Sequence, residues 1–217
     1  MSLQEKLTAL KEANLAKYSE ETRTILIDDL ENLAESGLIE KAPKTGEKLK
    51  DFTLPNQRGE LTSLAALREK GPVVVTFYRG GWCPYCNLEL RAYQHEFLPQ
   101  IKAAGATLVA ITPELPDKSL MTSQRHGLEF EVLTDQNSNY AREIDLVFTI
   151  DEKVRPVYES FGIDLEKHNG KGQFDVPFAA TFVVDVDGTI ASAVVEPDYS
   201  VRAEPADVVK VLQSLAK

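Results

Sequence analysis

The chain has 217 residues, of which 43% are hydrophobic, 27% are charged and two are cysteines. At this length most of the surface of the unfolded chain can be buried, so a core can form without disulfides or metals. The formal net charge of -10 repels nucleic acid and anionic lipid, and neither is expected as a partner. No apolar run approaches the roughly 20 residues of a membrane helix, and no secretory signal is recognisable, so we expect a cytoplasmic protein.

The first 42 residues predict a helical extension. Ser19 is typical of a helix start and Gly37 of a helix end. The narrow apolar stripes fit packing against the main domain or, as an alternative, contact between two chains in a homodimer. The leucines at helical spacing are Leu3, Leu7 and Leu10, then Leu26, Leu30 and Leu33.

Residues 43–217 read as one α/β domain. A short hairpin is expected near 51–64, followed by a β-branched, apolar strand at 72–78 that is buried on both faces. A long helix over 84–104, ended by Gly105, leads to a second buried strand at 107–111. Strand, helix and strand in this order predict a right-handed crossover between parallel strands.

The second half of the chain predicts further helices near 117–126, 138–144 and 154–161. Two strands at 180–185 and 189–195 flank the turn signal Asp187-Gly188. A final helix begins near Pro205. This order of elements predicts a thioredoxin-like fold, with a central mixed sheet flanked by helices over residues 43–217 and the helical extension over residues 1–42.

The two cysteines lie three residues apart, in Cys83-Pro84-Tyr85-Cys86, where the buried strand gives way to a helix. A close pair in an otherwise cysteine-free chain indicates redox chemistry or metal binding. A metal is not expected, since structural zinc needs four ligands and the three histidines are far apart in sequence. A helix N-terminus stabilises a thiolate and lowers its pKa. The neighbouring Trp82 either shields the sulfurs or only packs.

Residues 77–90 carry the motif Phe-Tyr-Arg-Gly-Gly-Trp-Cys-Pro-Tyr-Cys-Asn-Leu-Glu-Leu. This motif resembles bacterial peroxiredoxin-like proteins of the alkyl hydroperoxide reductase and thiol-specific antioxidant family. The resemblance extends over residues 43–217, through segments at 52–60, 132–135, 181–188 and 198–205.

The resemblance implies a thiol peroxidase without a cofactor. One cysteine attacks hydrogen peroxide or an alkyl hydroperoxide and becomes a sulfenic acid. A second thiol condenses with it to a disulfide, which a thioredoxin-type reductant opens. Two other interpretations stay open, a thiol–disulfide oxidoreductase acting on protein disulfides and a non-enzymatic redox-sensing module.

The sequence departs from the usual peroxiredoxin pattern of proline, threonine and peroxidatic cysteine. These three positions fall on Arg79, Cys83 and Cys86, and Glu89 matches the glutamate that usually follows. Glu89 has a second interpretation, as a first-turn charge that favours the helix N-terminus.

A second departure concerns the arginine that usually precedes the late strand. Ala179 occupies that position, where many thioredoxin-like proteins have a cis-proline. We expect Arg79 or Arg202 to supply the missing positive charge.

The identity of the attacking sulfur stays open at this point. The family pattern assigns the peroxidatic role to Cys86. The position near the helix start favours Cys83 as the low-pKa thiol, and we expect Cys83 to be more exposed, with Cys86 beneath it.

Overall fold

The computed structural model describes residues 1–215, which form helices and short strands. In chain order the helices are α1 (Leu3–Leu15), α2 (Glu20–Glu35), α3 (Leu64–Arg68), α4 (Pro84–Ala92), α5 (Leu98–Ala103), α6 (Pro116–His126), α7 (Asn139–Glu143), α8 (Arg155–Ser160), α9 (Leu165–Asn169) and α10 (Pro205–Leu215). The strands are β1 (Thr53–Pro55), β2 (Leu61–Ser63), β3 (Val73–Phe77), β4 (Thr107–Thr112), β5 (Glu131–Thr134), β6 (Val147–Thr149), β7 (Asp175–Pro177), β8 (Ala179–Val184) and β9 (Ile190–Glu196). None of the helices in this part of the chain is long and apolar enough to cross a membrane.

The central element is a five-stranded mixed sheet in the order β5-β4-β3-β8-β9. Strand β3 lies in the middle, parallel to β4 and antiparallel to β8, and all of its residues are buried. Its β-branched, mostly apolar sequence suits a strand that is covered on both faces. The predicted buried strand, the parallel crossover and the late hairpin are confirmed.

The N-terminal helices are capped as their sequences indicate. Ser2 forms a capping box with Glu5, and the Ser19 hydroxyl accepts from the Thr22 N–H at 3.1 Å. Leu3 and Leu7 are buried in the core cluster that also contains both cysteines, so α1 packs on the body of its own chain. The division into an extension at 1–42 and a domain at 43–217 stays a prediction.

The long helix predicted over 84–104 is interrupted. A π-helical turn over Tyr93–Phe97 separates α4 from α5, and Phe97 leaves helical geometry at φ -122°. Pro99 lies in the first turn of α5, where its missing N–H breaks the regular hydrogen-bond pattern. The prediction of one continuous helix was therefore wrong.

Four short elements were not predicted from the sequence. They are the edge strand β5, the small antiparallel pair of β6 and β7, and the helix α9. Each has only three to five residues, too few for a periodic pattern. Helix α9 matters for the site, because it carries His168 toward the loop before α4.

Candidate active site

Cys83 lies where β3 and its following loop meet α4. It is the N-cap residue of that helix, and its Sγ accepts the backbone N–H of Cys86 at 3.5 Å. Pro84 takes the first helical position, where no N–H is required. The predicted placement of the cysteine pair at a strand-to-helix junction is confirmed.

Neither cysteine is exposed. Cys83 and Cys86 are both free thiols and both have 0% relative accessibility. The expectation that Cys83 is more exposed was wrong, because the Arg79 side chain lies against Cys83 and is itself only 4% exposed. A reagent therefore reaches either sulfur only when neighbouring side chains move.

Arg79 is hydrogen-bonded to Cys83. Its Nη2 donates to Cys83 Sγ at 3.3 Å, and its Nη1 donates to the Tyr158 hydroxyl at 2.9 Å. The guanidinium carbon also lies 4.1 Å from the ring centroid of Tyr199 and 5.0 Å from that of Trp82. The aromatic rings thus hold the cation against the sulfur, and Trp82 packs on Arg79.

Arg202 makes the matching contact with the second cysteine. Its Nη2 donates to Cys86 Sγ at 3.3 Å, and its Nε donates to Glu89 Oε2 at 2.7 Å. The same guanidinium donates to the carbonyls of Tyr199 and Val201. From the sequence, either Arg79 or Arg202 was expected to supply the positive charge near the cysteines. The structure places both at the site, with Arg79 against Cys83 and Arg202 against Cys86.

Glu89 is the anion of this cluster. It is 0% exposed, pairs with Arg202, and lies 3.4 Å from the Thr76 hydroxyl. It lies beyond the first turn of α4, so its interpretation as a first-turn charge was wrong. Its physical effect is to compensate a buried guanidinium.

The environments of the two thiols drive their pKa values in opposite directions. Burial raises the pKa of Cys83, but the hydrogen bond from Cys86 and the charges of Arg79 and Arg202 outweigh it and hold that pKa well below its usual range. Burial and the neighbouring Cys83 raise the pKa of Cys86 well above its usual range. The arrangement favours a thiolate at Cys83 beside a protonated Cys86.

The loop before Cys83 is fixed by residues that the sequence did not reveal. The Glu114 carboxylate accepts the Gly81 N–H at 2.8 Å and lies 2.7 Å from Nδ1 of His168. A Cβ on Gly81 would come within 2.0 Å of the Thr122 hydroxyl, so only glycine fits this approach to α6. These residues are distant in sequence, and no local pattern connects them.

Tyr158 and Tyr199 are the other site residues that sequence reasoning missed. Tyr158 is 79 residues from Arg79, its hydrogen-bond partner, so no local motif signals the contact. The only available signal for Tyr199 was its place three residues before Arg202.

A cleft of about 600 Å³ opens beside the cysteine pair. We call it the helix cleft, because one wall comes from α1 and α2 and the opposite wall from α8 and the segment 79–85. Arg79 and Tyr199 line it, so its inner end adjoins the cation that contacts Cys83. Over residues 1–215, no group of three or more His, Cys, Asp or Glu side chains is placed to hold a metal ion.

The profile of the AhpC/TSA family matches residues 45–193. The chain belongs to the AhpC/TSA family. Peroxiredoxin Bcp of Escherichia coli is 25% identical over 147 residues, covering 68% of this chain and 82% of that protein.

Solved structures support the fold of this AhpC/TSA protein. The crystal structure of peroxidoxin BcpB from Mycobacterium tuberculosis aligns with a TM-score of 0.64 at 20% identity, covering 79% of this chain and 97% of that one. The bacterioferritin comigratory protein of Xanthomonas campestris aligns with a TM-score of 0.59, covering 76% and 92% of the two chains. The predicted thioredoxin-like architecture with a central mixed sheet is confirmed.

Membership of the AhpC/TSA family makes this protein an oxidoreductase of the peroxiredoxin type, a thiol peroxidase. On the resemblance carried by residues 77–90, the usual proline, threonine and peroxidatic cysteine are expected at Arg79, Cys83 and Cys86. Ala179, where the same resemblance predicts an arginine, is buried in β8.

Proposed function

We propose that this protein reduces hydrogen peroxide or alkyl hydroperoxides through a Cys83–Cys86 cycle in which Cys83 attacks the peroxide. One observation carries the proposal. Cys83 Sγ receives hydrogen bonds from Arg79 Nη2 at 3.3 Å and from the Cys86 N–H at 3.5 Å. Donors converging on one sulfur stabilise its anion, and the thiolate is the nucleophile.

The first step forms an S–O bond and breaks the O–O bond. The Cys83 thiolate attacks the terminal oxygen of R–O–O–H, Cys83 becomes a sulfenic acid, and R–O⁻ leaves and takes a proton from solvent as the alcohol. When R is hydrogen the leaving product is water. The Arg79 guanidinium is placed to stabilise negative charge on the leaving oxygen, because it already borders the sulfur.

The second step uses Cys86. Its sulfur displaces water from the Cys83 sulfenic acid, and a disulfide forms within the Cys-X-X-Cys pair. Arg202, 3.3 Å from Cys86 Sγ, stabilises the Cys86 thiolate that must form during this displacement. A dithiol donor of the thioredoxin type then supplies two electrons and two protons, which restore both thiols. A reducing compartment such as the cytoplasm suits this cycle, and both cysteines are free thiols in the structure.

A second candidate is a thiol–disulfide oxidoreductase, which the Cys-X-X-Cys spacing at a helix N-cap favours. The burial of both sulfurs disfavours it, because a protein disulfide needs direct access to the attacking thiolate. A peroxide is small enough to reach the sulfur through a limited side-chain movement.

The test combines rapid kinetics with trapping. We expect the purified chain to consume hydrogen peroxide in stopped-flow measurements many orders of magnitude faster than a free thiol. After one equivalent of peroxide, Cys86→Ser should accumulate a sulfenic acid on Cys83 that dimedone traps and mass spectrometry locates. If Cys83→Ser reacts as fast as the wild type and carries the trapped adduct on Cys86, the roles are reversed.

Two further outcomes separate the alternatives. Insulin-disulfide reduction without peroxide turnover would favour the oxidoreductase. If neither activity exceeds that of the Cys83→Ser/Cys86→Ser double variant, the protein is a redox-sensing module.

A further inference from the structure

The helix cleft has a wall that lies outside the matched family region. Its apolar lining from α1 and α2 precedes residue 45, where the match to the family begins. This wall is an addition of the N-terminal helices to the peroxiredoxin site. Its apolar residues are Leu10, Leu15, Leu26, Ile27, Leu30 and Ala34.

The size of the helix cleft fits an organic molecule. A water-sized molecule occupies about 30 Å³ of liquid volume, and the cleft measures about 600 Å³. Drug-sized ligands occupy pockets of roughly 300–1,000 Å³. Hydrogen peroxide would therefore leave nearly all of the cleft unused.

The chemistry of the lining points to an uncharged, apolar group. Ile27 and Phe161 line the cleft and remain 43% and 38% exposed, so their apolar surfaces are available to a ligand. Lys11 also lines the cleft, but its ammonium is compensated by Asp198 at 2.6 Å. The exposed carboxylate of Glu31 would repel an anionic chain.

The inner end of the cleft leads toward the reacting sulfur. Arg79 lines the cleft and donates to Cys83 Sγ at 3.3 Å. At another part of the lining, Tyr18 and Phe161 stack at 4.6 Å and join the segment after α1 to the end of α8. A molecule in the cleft can thus place a polar end at Arg79 and an apolar body between the helices.

We propose that the helix cleft binds the organic group of an uncharged alkyl or aralkyl hydroperoxide and orients its peroxide group toward Arg79 and Cys83. The N-terminal helices are then a specificity element that favours organic hydroperoxides over hydrogen peroxide. This inference rests on the proposed peroxidase function.

The kinetic test compares two peroxides in matched variants. Ala34 is exposed and lines the cleft, so Ala34→Phe fills the cleft without removing a core side chain. Ala13 is exposed on α1 and does not line the cleft, so Ala13→Phe is the control. We expect Ala34→Phe to lower the ratio of the cumene hydroperoxide rate constant to the hydrogen peroxide rate constant by roughly tenfold or more, and the control to leave it unchanged.

A binding test without chemistry uses the single tryptophan. Trp82 lines the cleft, and neither phenylalanine variant adds another tryptophan. In the Cys83→Ser/Cys86→Ser background, 2-phenyl-2-propanol, the alcohol product of cumene hydroperoxide, should change the Trp82 fluorescence in a saturable way. Adding Ala34→Phe should weaken this binding, and adding Ala13→Phe should not.

The outcomes distinguish this inference from the peroxidase proposal. If the wild type reduces both peroxides and the rate ratio is the same in Ala34→Phe, the cleft assignment is overturned and the peroxidase function stands. If the wild type reduces neither peroxide, the peroxidase proposal fails first. An effect of Ala34→Phe confined to reduction of the disulfide by its dithiol donor would also overturn the inference, and would assign the cleft to that donor.

Discussion

Replacing Arg79 with methionine tests the cation that contacts Cys83. Methionine keeps an unbranched side chain but removes the guanidinium, whose Nη2 lies 3.3 Å from Cys83 Sγ. A hydrogen bond to a charged group contributes about 1.5–3 kcal/mol. At about 1.4 kcal/mol for each factor of ten, the ionisation constant of Cys83 should fall roughly 10–150-fold.

The assay is a pH titration of the thiolate ultraviolet absorbance in a Cys86→Ser background, so that one sulfur is observed. Arg91→Met is the matched control, because it removes an exposed arginine from α4, the helix that Cys83 caps. We expect the midpoint to move to higher pH in Arg79→Met and to stay in place in Arg91→Met. An unchanged midpoint in Arg79→Met would refute the assignment of Arg79 as the cation that stabilises the thiolate.

Three further predictions concern pH and stability. Because its partners hold the pKa of Cys83 well below its usual range, the peroxide rate constant should fall less steeply between about pH 8.5 and neutrality than that of an ordinary thiol. A rate constant with the same pH dependence as an ordinary thiol would contradict this. Glu89→Ala should destabilise the protein by about 3–5 kcal/mol in urea unfolding, since it leaves buried Arg202 uncompensated. The control Glu96→Ala, which removes an exposed ion pair, should lower the free energy of unfolding by about 1 kcal/mol or less. If both variants lose the same free energy of unfolding, the buried Glu89–Arg202 pair is not the source of the larger effect. Leu7→Ala should cost about 2–5 kcal/mol within a single unfolding transition, and a separate early transition would show that α1 is not part of the core.

The sequence predicted the parts of the fold that depend on local pattern. Strand β3 was recognisable because four of its five residues are apolar and most are β-branched, and the late hairpin because Asp187-Gly188 marks its turn. Helix α2 was recognisable from its Ser19 cap. Strand β5 is too short to show periodicity, and its place beside β4 is a property of the whole sheet.

The sequence predicted the two cysteines of the candidate site, but only some of the residues that contact them. The spacing of Cys83 and Cys86 and their position after β3 indicated redox chemistry. Their complete burial was not predictable, because Arg79 covers Cys83 only when Tyr158 and Tyr199 are folded against it. Contacts between residues this far apart in sequence leave no trace in a single chain read alone.

The pairing of each sulfur with its own guanidinium also bears on the energy of the oxidised protein. With Cys83 ionised, the two buried arginines are balanced by that sulfur and by Glu89. In the proposed cycle, closing the Cys83–Cys86 disulfide removes the sulfur's negative charge and leaves one buried guanidinium without a counterion. An uncompensated buried charge costs about 3–5 kcal/mol, which for a two-electron couple equals about 60–110 mV. If the proposed disulfide forms, the same contacts that ionise Cys83 therefore make it a stronger oxidant, which a dithiol donor can open readily.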